Sequence, residues 1–176
     1  MQALGRLTGL VVVVAVLAAA PAVARQEPDG TADFVRVRTV NPSLRTVMDR
    51  GVFRSPTLRG LVGAIQRSDL IVHIERHNRF PKGKVGSIQL VGVRDGQRYV
   101  RIELDSVLSR NELIVALAHE LQHATELAEA AHVADPRILR ELYCVIGESR
   151  AFGYDTAAAQ FVSRQVAAEV SASPDR

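Results

Sequence analysis

Four short stretches of the chain have the apolar pattern of β-strands, either a run of β-branched residues or an alternation of apolar and polar positions. They are residues 34–40, 70–75, 87–93 and 97–104. Asp95 and Gly96 separate the last two stretches, and an Asp-Gly pair is favoured in two-residue hairpin turns. The pattern therefore predicts a sheet in which the last two strands form a β-hairpin.

Helical spacing of apolar residues dominates the rest of the chain. After Pro56, the apolar residues recur every three or four positions, at Leu58, Leu61, Val62 and Ile65. The predicted helices cover residues 44–50, 56–66, 111–131 and 138–170, the last with interruptions at Gly147 and Gly153. This order of helices and strands predicts a single α+β domain.

The segment 111–131 has the strongest helical pattern. It contains neither glycine nor proline and is rich in Ala, Leu and Glu, which favour helices. Ser109 and Glu112 have the spacing of a capping box at its start. Its predicted buried stripe consists of Leu113, Leu117, Leu121 and Ala124.

The N-terminus has the three parts of a secretory signal peptide. Arg6 supplies a positive charge, residues 7–20 are uncharged and largely apolar, and Ala22-Val23-Ala24 is a small-residue cleavage site. We therefore expect a signal peptide over residues 1–24, a mature domain over 25–176, and a periplasmic or extracellular location. An uncleaved anchor is the alternative, although the apolar run is short for a membrane span.

Composition narrows the classes of partner and site. Cys144 is the only cysteine, so an intrachain disulfide and a cysteine-based zinc site are excluded. Its apolar neighbours predict a buried thiol. The net charge of +3 comes from scattered residues without a basic block or aromatic platform, so we expect no nucleic-acid partner.

His119-Glu120-Leu121-Gln122-His123, inside the strongest predicted helix, is the principal chemical motif. Residues four apart share one helix face, so both imidazoles can reach a single zinc ion. Glu120 can then act as the base that takes a proton from zinc-activated water. The alternative is an Ala-rich core helix whose histidines merely lie on its polar face.

A catalytic zinc ion normally has three protein ligands, so a third ligand must lie elsewhere. Glu129 lies at the metzincin distance from His123, but Glu126 replaces the glycine at which the metzincin chain turns back to the metal. Glu141 and Glu148 lie on the segment after Pro136, which we expect to return alongside the histidine helix. The length of the turn favours Glu148, and Glu141 lies near Arg137 and Arg140, which suits a solvated ion pair.

The pentad followed by Glu148-Ser149-Arg150-Ala151 resembles the gluzincin zinc metallopeptidases, especially the small minigluzincin-like domains. The resemblance covers about residues 70–155. It implies a zincin-like fold, with a small twisted sheet over the active-site helix and an edge strand lining the cleft. It also implies His119, His123 and Glu148 as metal ligands and Glu120 as the catalytic base. The chain departs from the thermolysin pattern, because Phe152 lies four residues after Glu148 and the nearest acid is Asp155.

These residues together predict an exported peptidase that binds one Zn²⁺ per chain and acts on a peptide or protein substrate. Tyr143, Tyr154 and His132 are candidates for stabilising the oxyanion. The strand at 86–93 could pair with an extended peptide. The alternatives are a zinc-binding module without catalytic activity and a structural domain without metal.

Overall fold

A four-stranded mixed sheet forms one layer of the fold in the computed structural model, which describes residues 36–173. Its strands are β1 (Val37–Arg38), β2 (Leu70–His77), β3 (Gly86–Arg94) and β4 (Gln97–Asp105), in the spatial order β1-β2-β4-β3. Strands β1, β2 and β4 are parallel, and β3 runs antiparallel to β4. Strand β3 therefore forms an edge of the sheet.

The predicted hairpin is present between β3 and β4. Asp95 and Gly96 both have positive φ angles, 52° and 71°, as a type I′ turn requires. Along β4, buried and half-buried residues alternate without interruption. The buried face of this strand begins with Arg98, which is only 3 % exposed.

Two helices precede β2. Helix α1 (Pro42–Arg54) is capped by Asn41, and helix α2 (Pro56–Gln66) is capped by Ser55, each with a proline in its first turn. The four apolar residues predicted to line one face of α2 are all buried. Both helices pack against the helix that carries the histidines.

Helix α3 (Arg110–Glu129) lies at the centre of the core. It contacts α1, α2 and strands β2, β3 and β4, so it is enclosed on several sides. The Ser109–Glu112 capping box and the predicted stripe of four buried residues are both confirmed. This packing makes α3 a rigid support for the residues of the motif.

The last third of the chain differs from the long helix that the sequence predicted. Helix α4 (Pro136–Ile146) is followed by a hairpin of β5 (Glu148–Arg150) and β6 (Gly153–Asp155), and then by helix α5 (Ala157–Ala172). Gly147 ends α4 in an extended conformation, and a Cβ there would lie 2.8 Å from the Tyr143 carbonyl oxygen. Gly153 has a φ of 140°, which only glycine adopts easily. The predicted interruptions thus occur, but they enclose a β-hairpin.

Cys144 is exposed, so the prediction of a buried thiol is wrong. Helix α4 lies at the periphery and buries only Leu139 and Tyr143. Cys144 follows Tyr143 by one residue, which is about 100° around the helix. It therefore points away from the core, although its sequence neighbours are apolar.

The helices of residues 36–173 include none with the length and apolar content of a membrane span. The predicted signal peptide at 1–24 and the first residues of the strand predicted at 34–40 lie outside the described residues.

Candidate metal centre

Three side chains from two distant parts of the chain converge beside α3. His119 and His123 lie one helical turn apart, and Asp155 is the last residue of β6. Asp155 Oδ1 lies 3.4 Å from His119 Nε2 and 3.8 Å from His123 Nε2. One ligand atom from each residue falls within a group in which all distances are below 4.8 Å. Two imidazoles and a carboxylate are a ligand set that suits zinc.

The other nitrogen of each ring has its own hydrogen-bond partner. His123 Nδ1 donates to Glu126 Oε2 at 2.9 Å, because a carboxylate can only accept. Ser163 Oγ donates to the Ala159 carbonyl and thus accepts from His119 Nδ1, which lies 2.9 Å away. Both neutral rings therefore carry their proton on Nδ1 and present a lone pair at Nε2.

Asp155 Oδ1 is buried and finds no hydrogen-bond donor among residues 36–173. With both rings protonated on Nδ1, two nitrogen lone pairs face this oxygen. A buried acceptor without a donor is unfavourable, and three converging electron-pair donors repel each other. A bound cation, or protonation of one ring, removes both penalties, so the donor set fits a metal ion.

Glu126 connects one histidine to the segment that supplies Asp155. Its Oε1 accepts a hydrogen bond of 2.6 Å from Thr156 Oγ1, and its Oε2 binds His123. Thr156 also caps α5 through the amide of Ala159. Burial acts to raise the pKa of Glu126, but the hydrogen bonds from His123 and Thr156 lower it below its usual range. Glu126 thus stays ionised and orients His123.

The two histidines have opposite shifts in pKa. Burial and the nearby charge of His123 lower the pKa of His119. Burial also acts to lower the pKa of His123, but the hydrogen bond to Glu126 and the charges of Glu120, Glu126 and Asp155 outweigh it and raise the pKa. In the absence of a bound cation, His123 is therefore the histidine that is more readily protonated.

Glu120 is the most deeply buried acid of the site, with 5 % of its surface exposed. Burial raises its pKa to about 7, although the charges of His123 and Lys84 oppose the shift. A Cβ at Gly86 on the edge strand would lie 2.6 Å from Glu120 Oε1. The absence of a side chain at Gly86 therefore leaves space for this carboxylate.

Glu148, the third ligand predicted from the sequence, does not belong to the converging group. Its side chain is 72 % exposed and forms a 2.7 Å ion pair with Arg150. The prediction assumed that the helix after Pro136 continues through Glu148, but α4 ends at Ile146 and the chain reverses in a hairpin. Asp155 is the cross-strand partner of Glu148 and is the carboxylate that reaches the histidines.

The other two acids considered in the sequence lie on the surface. Glu141 is exposed and forms the expected ion pair with Arg137 at 2.7 Å. Glu129 is the exposed last residue of α3. Neither belongs to the group that could hold a metal ion.

The three oxyanion candidates have different surroundings. Tyr143 donates its hydroxyl to the His123 carbonyl at 2.9 Å, and its ring packs edge-on against the His123 ring. This hydroxyl is therefore occupied in holding α4 against α3. Tyr154 and His132 are both exposed, but only Tyr154 is among the described residues that line the site.

A cleft of about 530 Å³ is lined by His119, His123 and Asp155 of the candidate metal centre. One wall is the segment 83–90, which includes half of the edge strand. The other walls are one face of α4 and the β5–β6 hairpin. Phe152 and Gly83 are neighbours in this lining, since a Cβ added at Gly83 would lie 3.6 Å from Phe152 Cε2. The volume of the cleft lies within the range of about 300–1,000 Å³ that is usual for ligand-binding pockets.

No protein-family model, curated protein or solved structure matches the chain. The possible chemistry of the site therefore follows from its own residues.

Proposed function

We propose that this chain is a zincin-like, zinc-dependent peptidase with His119, His123 and Asp155 as metal ligands and Glu120 as general base. The observation that carries the proposal is the convergence of two free Nε2 atoms on the unpartnered Asp155 Oδ1, next to a buried Glu120. Asp155 replaces Glu148 as the proposed third ligand because of this geometry.

The architecture around the centre supports a zincin-like domain. In the resemblance described above, a small sheet lies over the active-site helix and its edge strand lines the cleft. Here α3 contacts β3 and β4, and the edge strand β3 runs antiparallel to its neighbour and lines the cleft. An extended peptide could add to this edge by main-chain hydrogen bonds.

The protein residues have distinct roles in the proposed hydrolysis. Zinc, when bound, acts as a Lewis acid that acidifies water and polarises a carbonyl group. Glu120 accepts the proton of the attacking water at its carboxylate and delivers it to the nitrogen of the leaving amine. In the site without a cation its pKa is about 7, and a group that titrates near the working pH both takes and returns a proton readily.

Glu120 also distinguishes a peptidase from a zinc-binding module without catalytic activity. A site that only binds metal needs the three ligands and their hydrogen-bond partners. It has no need of a further buried carboxylate, which burial destabilises in its charged form. The Glu120 carboxylate fills the space that a side chain at Gly86 would occupy. This arrangement favours the catalytic alternative.

The metal content of purified variants tests the ligand assignment. We expect about one zinc ion per wild-type chain and weakened or absent binding in Asp155→Ala. Glu148→Ala is the matched control, because it removes the cross-strand neighbour and should retain zinc. Retention in Asp155→Ala with loss in Glu148→Ala would reverse the assignment, and no zinc in the wild type would refute the proposal.

Peptide hydrolysis by Glu120→Gln tests the catalytic role. We expect this variant to retain zinc and lose nearly all activity, because an amide cannot accept the proton. Retained zinc with no hydrolysis in the wild type, across a broad peptide library, would favour the non-catalytic module.

A further inference from the structure

The walls of the cleft carry an excess of positive charge. Lys84, Arg140 and Arg150 line it, and the acids among the described lining residues are Glu120 and Asp155. Both acids have roles in the proposed centre, one as the base and one as a metal ligand. With those two charges engaged by the centre, the charged side chains that remain on the walls are all cations.

Two of these cations lie on different walls of the cleft. Lys84 belongs to the wall formed by residues 83–90 and precedes Gly86, the glycine beside the Glu120 carboxylate, by two positions. Arg140 lies on α4 and lines the cleft together with Tyr154, the neighbour of Asp155 in the hairpin. The cleft therefore has a cation on each of two walls.

Lys84 and Arg140 form no ion pair with an acid of residues 36–173, whereas Arg150 is paired with Glu148. The Lys84 ammonium lies 5.0 Å from the centroid of the Phe80 ring. Arg137, on the same helix as Arg140, is outside the cleft and is neutralised by Glu141. Arg140 on α4 and Lys84 just before β3, which have no acidic partner among residues 36–173, are therefore both in the lining of the cleft.

We propose that the cleft selects peptides with a carboxylate close to the bond to be cleaved, and that Lys84 and Arg140 are the specificity-determining residues. The inference rests on the proposed peptidase function, because that function supplies the bond to be cleaved. The preference in binding can nevertheless be measured separately. A substrate carboxylate in the cleft would form ion pairs with these two cations. The protein walls displace part of the solvent there and so reduce the screening of the charges.

The carboxylate could belong to an Asp or Glu side chain or to a free C-terminus. Three peptides of the same length separate these sources. One has an internal Glu and an amidated end, one has Gln at that position and a free end, and one has Gln and an amidated end. Binding of the first or the second above the third identifies the source.

Fluorescence anisotropy with the zinc-loaded Glu120→Gln protein measures binding without turnover. We expect at least one carboxylate peptide to bind about fivefold more tightly than the neutral peptide, which is near the upper limit for an exposed ion pair. The preference should weaken as salt concentration rises. Equal affinity for all three peptides at low salt would overturn the inference.

Charge removal assigns the preference to residues. Lys84→Met and Arg140→Met keep an apolar stem and lose the cation, and each should lower the ratio of affinities severalfold toward one. Arg137→Met is the matched control on the same helix and should leave the ratio at the wild-type value. Thermal unfolding of each variant reports whether it is folded. Unchanged ratios in folded Lys84→Met and Arg140→Met would refute their role.

The two proposals fail in different ways. If neutral and acidic peptides are bound equally and hydrolysed at equal rates, the proposed specificity is refuted and the proposed peptidase activity is not. If the wild type binds carboxylate peptides selectively but does not hydrolyse them, the proposed peptidase activity is refuted and the proposed carboxylate recognition is not.

Discussion

Gly86 shows how a single hydrogen atom can decide the geometry of the proposed base. The edge strand passes so close to α3 that any side chain there would meet the Glu120 carboxylate. The constraint lies between two elements that are distant in sequence. Sequence patterns therefore give no sign of it, since a glycine in a strand more often indicates a bulge or a turn.

Gly86→Ala should displace Glu120 and reduce kcat roughly a hundredfold, because a shift of about 1 Å in a reacting group can have that effect. Zinc content should not change, since the glycine touches the base and not the ligands. Peptide hydrolysis and metal analysis measure the two effects. Gly92→Ala on the same strand is the control, because nothing lies within 4 Å of its added Cβ. Equal activity in both variants would contradict the role of Gly86.

Glu126→Gln should weaken zinc binding about tenfold to a hundredfold, because the carboxylate orients His123 and increases its basicity. Competition with a chelator measures the affinity. Glu129→Gln, on the exposed last turn of α3, removes a nearby charge without touching the site and should have little effect. An equal loss in both variants would indicate a general effect of charge.

At the scale of elements, local patterns predicted what local forces determine. The capping box of α3, the apolar face of α2 and the Asp95-Gly96 turn each depend on residues within a few positions, and all three are confirmed. Helical spacing likewise brought His119, Glu120 and His123 together on α3.

The β5–β6 hairpin was missed because its strands have three residues each and are almost wholly exposed. They have no buried face to produce an alternating pattern. Asp155 reaches the centre only because this hairpin reverses the chain. Helical turn lengths therefore could not predict that Asp155, and not Glu148, lies beside the two histidines.

Arg98 is a second feature that packing determines. Its guanidinium forms a bidentate pair with Asp69 at 2.7 Å and donates to four carbonyls at the end of α3, those of Leu127, Ala128, Ala130 and Val133. A cation at a helix C-terminus also interacts favourably with the helix dipole. The residue fixes the end of α3 against the sheet.

Arg98→Met should lower the free energy of unfolding by about 3 kcal/mol, because it leaves Asp69 and several carbonyls without their partner. Urea denaturation measures the loss. Arg101→Met lies on the other face of β4 and loses an exposed hydrogen bond to Gln89, so we expect a loss of about 1 kcal/mol or less. A similar loss in both variants would show that Arg98 has no special role.

At the scale of the whole molecule, Glu169 connects the C-terminal helix to the start of α2. Its carboxylate accepts hydrogen bonds from Ser55, Thr57 and Gln165. Burial acts to raise its pKa, but these hydrogen bonds lower the pKa to about 2. Glu169 thereby holds α5 to the junction between α1 and α2.

The low pKa predicts a stability that depends on pH. Since the folded pKa lies below the usual value of 4.5, the contribution is complete above about pH 4.5 and is lost as the pH falls toward 2. After allowance for solvent screening, we expect it to be about 1–2 kcal/mol. The difference in unfolding free energy between wild type and Glu169→Gln should shrink over this range. A constant difference would contradict the assignment.

The distance along the chain between His123 and Asp155 has a mechanical consequence. The intervening segment contains all of α4 and the hairpin, and much of it is exposed. A metal ion held by both residues would act as a cross-link that closes this segment into a loop and restricts the unfolded chain. Removing the metal should therefore expose residues 136–155 to proteolysis before the sheet. The proposed catalytic ion would therefore also hold α4 and the β5–β6 hairpin, which form one side of the cleft, in position.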